Sequence, residues 1–150
     1  MTNTKGKNND PKNPTNGTFT AQLVRGPVIL DYRADEISLR KTAFRYILDT
    51  TMRGNNTIYL EFRFPLGITG NRDKYTIRNP DGPVTATCEL KYATDPEPLS
   101  FDAISGQITF YEFNTSTGKV HARFYMVAVG RNGDQLELNS GEMQLVGIGL

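Results

Sequence analysis

The sequence predicts an all-β protein, an antiparallel β-sandwich or flattened β-barrel of eight to ten strands. Three observations carry this. Gln107–Asn114, Lys119–Val129 and Gln135–Leu145 are consecutive alternating apolar runs, the period-two signature of strands. The connections Ser116-Thr117-Gly118 and Arg131-Asn132-Gly133 supply the positive-φ residues that tight hairpins need. Thr57–Phe64 alternates most cleanly, with Ile58, Leu60, Phe62 and Phe64 inward and Tyr59, Glu61 and Arg63 outward.

The elements follow in order. Residues 1–16 hold no aliphatic or aromatic side chain after Met1, so they cannot bury enough apolar area to offset their ordering entropy. They are expected to form a disordered or loosely attached polar arm, with 17–150 a single all-β domain of ordinary size. Thr18–Val24 and Val28–Arg33 read as strands around Arg25-Gly26-Pro27, where Pro27 suits a strand edge or turn. Ala34–Lys41 also admits a short helical turn. Lys41–Thr51 is expected as a strand, because Phe44, Tyr46 and Leu48 alternate against Arg45 and Asp49. Arg53-Gly54-Asn55-Asn56 and Asn79-Pro80-Asp81-Gly82-Pro83 are turns. Between them lie the Thr57–Phe64 strand, a loop over Pro65–Asp73 and a short strand over Lys74–Arg78. Val84–Thr94 is the next strand, Asp95-Pro96-Glu97-Pro98 stops it, and Leu99–Ser105 leads into the closing meander.

Composition excludes several functions. The single cysteine, Cys88, allows no intrachain disulfide, and its neighbours Ala86, Leu90 and Tyr92 place it on an apolar strand face as a buried small hydrophobe. His121 is the one histidine, so any Ser-His-Asp or Cys-His system must use it; Ser140 in Asn139-Ser140-Gly141-Glu142 is not a nucleophile elbow. His121 is therefore read as a cross-strand polar residue. Neither a histidine-based nor a thiolate zinc site is available. The carboxylate clusters Asp31, Asp35, Glu36 and Asp95, Glu97, Asp102 lack calcium-loop spacing. No catalytic, cofactor or metal residue is assigned, and the chain is expected not to be an enzyme. The sequons at Asn16, Asn55 and Asn114 are read as turn chemistry. Net charge is +1, and Asp35, Glu36, Asp49 and Glu61 interrupt the basic residues of 40–64, so nucleic acid is not an expected partner. The charge is uneven: residues 1–78 hold thirteen Lys/Arg against seven Asp/Glu, and 79–150 hold four against nine. The two halves are expected to complement each other across the strands, or to orient a partner.

The closing meander is apolar on both faces. Simple alternation sends Ile108 and Phe110 one way and Tyr111 and Phe113 the other; Phe124, Met126 and Ala128 oppose Tyr125, Val127 and Val129. Full burial of such a side chain is worth ~1.5–3 kcal/mol, so a cover is expected. Tyr111, Phe113, Tyr125, Val127 and Val129 are the candidate interface, covered by the chain itself, a second copy, another protein or a ligand.

Ser105-Gly106-Gln107-Ile108-Thr109-Phe110, Lys119–Phe124 and Asn139-Ser140-Gly141-Glu142-Met143 together resemble the closing hairpins of small uncharacterised bacterial β-sandwich and calycin-like domains. The likeness spans about forty residues and departs from the pattern at Met143, where an aromatic is usual, and at Ala122, where a Gly-x-Phe is usual. It implies an all-β fold and carries no site residues. The expected function is a non-catalytic binding or interaction module that self-associates through the meander. The alternatives are a barrel-like carrier of a small apolar ligand and a carbohydrate- or calcium-dependent surface domain. No cofactor is expected. No run approaches the roughly 18 apolar residues of a membrane helix, and the polar start lacks an apolar leader core. The expected location is the cytoplasm, or outside the cell where a leader has been removed.

Overall fold

A computed structural model describes residues 15–95 and 97–146. Residues 1–14 of the expected 1–16 arm lie outside them; Thr15 and Asn16 belong to the sheet domain, where Asn16 opens the first strand. Among the described residues the regular elements are ten strands: β1 (Asn16–Arg25), β2 (Val28–Arg33), β3 (Glu36–Lys41), β4 (Arg45–Met52), β5 (Asn56–Pro65), β6 (Asp73–Thr76), β7 (Thr85–Tyr92), β8 (Leu99–Asn114), β9 (Lys119–Gly130) and β10 (Gln135–Val146). All join one antiparallel sheet, ordered β2-β1-β10-β9-β8-β7-β5-β4-β3, with β6 on β8. The sheet curls into an open half-barrel. This continuous hydrogen-bonded path is consistent with the expected flattened sandwich or barrel. Ala34–Lys41 is strand rather than helical turn from Glu36 onward.

The interior is filled by aromatic rings from across the sheet. Phe62 on β5 lies 5.8 Å from Phe19, 5.0 Å from Phe124 and 6.0 Å from Phe64, and Phe64 meets Phe110 edge-on at 5.2 Å. Ile58, Leu60, Phe62 and Phe64 all point inward, as their alternation predicts. Gly141 makes room for this cluster, since a Cβ there would meet the Phe124 ring at 2.3 Å. One end of the barrel is covered by the excursion between β5 and β7, which buries Ile68, Ile77 and Val84. There Asp73 accepts hydrogen bonds from the Thr69 N–H (3.1 Å) and hydroxyl (3.0 Å) and from Tyr75 (3.1 Å), which ties the loop down.

β8 is a single strand where two pieces were expected, because one edge is shared in tandem by β7 and β6 while β9 runs along the other. Two register shifts against β9, one between His121 and Ala122 and one between Val127 and Ala128, mark bulges in β8. Each extra residue reverses the in-out phase. Phe113 therefore turns back to the interior, 4.9 Å from Tyr46 and 5.6 Å from Phe110, rather than sharing an outer face with Tyr111. A third irregularity, on β10, carries Ser140 at φ 52°. Phe44 also departs from expectation. Thr42 Oγ1 accepts from the N–H groups of Phe44 (3.2 Å) and Arg45 (3.1 Å), closing a turn that leaves Phe44 82% exposed.

The two ends of the strand path meet beside β1. Ala34 N–H donates to Phe19 C=O (3.0 Å), Thr15 N–H donates to Ile37 C=O (2.9 Å), and Leu39 N–H donates to Thr15 Oγ1 (3.0 Å). Tyr32 and Thr50 share a buried hydroxyl hydrogen bond of 2.8 Å between β2 and β4. Thr15→Val keeps the shape of this clasp but orphans the buried Leu39 N–H, and is expected to cost about 1–3 kcal/mol in urea unfolding.

Candidate functional site

The seam opens at the other end of the barrel. The inward side chains of β2 record this as a gradient: Tyr32 is 1% exposed, Leu30 36% and Val28 59%. Beyond the aromatic plug the β1–β2 hairpin stands away from the β4–β5 turn, leaving a cleft of about 530 Å³. Leu23, Leu30, Met52, Ile58 and Leu90 give it apolar walls, and the Arg53–Asn56 turn lines one side. Size and lining both lie in the range of small-molecule sites.

Three polar side chains from distant parts of the chain meet at its rim. Arg25 ends β1, Tyr92 ends β7, and Asp134 lies in the β9–β10 turn. That turn is held by Gly130 N–H donating to Asp134 C=O (2.7 Å) and Asp134 N–H donating to Asn132 Oδ1 (3.3 Å). Arg25 Nε donates to Asp134 Oδ2 at 3.0 Å, and an Arg25 terminal nitrogen donates to the Tyr92 hydroxyl. The guanidinium also lies 5.7 Å from the centre of the Phe101 ring. Its pKa is raised, chiefly by the Asp134 hydrogen bond.

The residues singled out from the sequence lie elsewhere. Tyr111 and Tyr125 are exposed on the outer face of β8 and β9, Val127 and Val129 are half-buried there, and Phe113 packs inward. Tyr111 does not stand bare: its ring lies 5.3 Å from His121 and under the Arg123 guanidinium at 5.8 Å. His121 Nε2 sits 3.1 Å from Glu142 Oε2, which also accepts from Arg123 (3.4 Å) and Gln144 (3.4 Å). This is the cross-strand polar role expected of it. The His121 hydrogen bond first, opposed by desolvation and joined by those of Gln144 and Arg123, holds the Glu142 carboxyl below its ordinary 4.5. A carboxyl depressed by folding stabilises the fold above its ordinary value, and that contribution is lost as pH falls through the folded value. Glu142→Gln is thus expected to lower stability by about 0.2–1 kcal/mol near neutral pH, the range of partly exposed pairs. Denaturant titrations of both proteins should converge in acid below the carboxylate range.

Cys88 is buried, and desolvation pushes its thiol up to about 12, an inert state. Among the described residues no group of three His, Cys, Asp or Glu side chains is placed to hold a metal ion, and no helix is long and apolar enough to cross a membrane. Sequence reasoning missed Arg25, Tyr92 and Asp134. They lie 67 and 109 positions apart, and no local pattern links them. Comparison with family models, curated proteins and solved structures found no match to this chain.

Proposed function

We propose that this chain is a non-catalytic binding module that holds a small, largely apolar molecule in the cleft at the open end of the barrel. The carrying observation is the exposure gradient along β2, which leaves Leu30 and Val28 facing the cleft beside Met52. A ligand that covers such side chains gains up to ~1.5–3 kcal/mol for each one fully buried. The aromatic plug keeps the ligand at the mouth, so the site is shallower than a central barrel cavity. The inert Cys88 and the engaged His121 support a role without chemistry.

The test is titration of the purified protein with a neutral fluorescent naphthylamine. Saturable binding is expected in wild type, and Leu30→Glu, which puts a charge on the cleft wall, should weaken it at least ~10-fold with an unchanged melting temperature. No saturable binding in wild type removes the reading.

A second reading, self-association, is favoured by Ile104 and Tyr125, both about half exposed on the outer face of β8 and β9. Light scattering should then give a dimer mass that Tyr125→Glu reduces to a monomer. A monomeric wild type at every concentration ends it.

A further inference from the structure

We infer that the cleft selects an uncharged ligand whose acceptor oxygen takes the Tyr92 O–H. This rests on reading the cleft as a binding site and assigns the chemistry of what enters it.

The charges around the cleft are already matched. Arg25 is held by Asp134 at 3.0 Å. Arg53 grips both carboxylate oxygens of Glu36, at 2.9 and 3.2 Å, while its backbone N–H donates to Asp35 at 2.7 Å. An anionic head group entering here would approach Asp134 and leave water for walls made by Leu23, Leu30 and Leu90. A cationic one would approach Arg25. Neither meets a spare counter-charge, and a charge moved into apolar surroundings without one is strongly disfavoured. A neutral head meets no such cost.

Tyr92 supplies the direction. Its oxygen accepts from the Arg25 guanidinium, so its own hydrogen points elsewhere, and among the described residues that hydrogen has no acceptor. Tyr92 lines the cleft. A hydroxyl whose oxygen already accepts from a cation is a strengthened donor. The ligand group that completes this chain of hydrogen bonds is a neutral acceptor such as a ketone, ester or ether oxygen, at one end of an apolar body.

The experiment displaces the naphthylamine probe from the full chain with ten-carbon competitors that differ in their heads: 2-decanone, decanoate and decyltrimethylammonium. The ketone is expected to compete at concentrations about 10-fold below either ion. Tyr92→Phe should raise the concentration at which 2-decanone competes by up to ~10-fold, because a hydrogen bond of this kind is worth that much, and should leave decyltrimethylammonium unchanged. Arg25→Gln, which frees Asp134, should instead improve decyltrimethylammonium about 10-fold. Decanoate matching or beating the ketone overturns the assignment, as does 2-decanone competing equally well against wild type and Tyr92→Phe. Probe that never binds overturns the cleft as a site and the assignment with it; probe that binds without discriminating among heads overturns the assignment alone.

Discussion

Phe62→Ala is expected to cost about 3–5 kcal/mol, the range for truncating a fully buried aromatic. Phe62 is wholly inaccessible and touches three other rings, from β1, β5 and β9. Those rings are held by strands that are hydrogen-bonded on both sides, so they cannot close over the void, and the cavity adds to the lost transfer energy. A domain of this size has about 5–15 kcal/mol in hand, so the variant should unfold roughly 10–20 °C earlier or fail to accumulate. Differential scanning calorimetry reads this directly. A loss under about 1 kcal/mol would mean that the plug is loosely packed and that the interior, not the mouth, has room for a ligand.

Gly106→Val is expected to be comparably severe for a different reason. Gly106 has φ 153° and pairs with Met126 just past the β8 bulge. A Cβ there would lie 2.4 Å from the Tyr125 carbonyl oxygen and 2.8 Å from Met126 Cα. These are backbone atoms of a neighbouring strand, so the strands must part rather than a side chain rotate. Gly106 also accepts the Ile77 N–H at 3.0 Å, which anchors the excursion that covers the far end of the barrel. Overpacking and backbone strain each cost about 1–3 kcal/mol. Amide hydrogen exchange should show protection lost first in β6 and β8, ahead of the β4–β5 hairpin. Uniform loss across the sheet would show instead that the bend is not a local device.

The alternation of Ile58, Leu60, Phe62 and Phe64, the three strands of the meander, and the burial of Cys88 were legible because a regular strand repeats every two residues. Phe113 and Phe44 were misplaced because that repeat was carried past points where the backbone breaks it. The breaks left traces. Gly106 sits in a strand pattern, and Ser140-Gly141 interrupts another; a glycine inside a strand is the usual mark of a bulge. The exposed Tyr111 and Tyr125 were found by the same alternation, with polar neighbours that alternation does not reveal.

Local periodicity alone determined that this chain is all β and where most of its strands lie. That is information carried between residues two apart. Tertiary structure decided that the strands share one curled hydrogen-bonded path, and that its seam is clasped at Thr15 and open at Val28. It also decided that Arg25, Tyr92 and Asp134 share a rim. The reason is physical: closure comes from hydrogen bonds between ends of the strand path and from turns that meet across more than half the chain. Each depends on where distant segments lie relative to one another, which no window along the sequence contains.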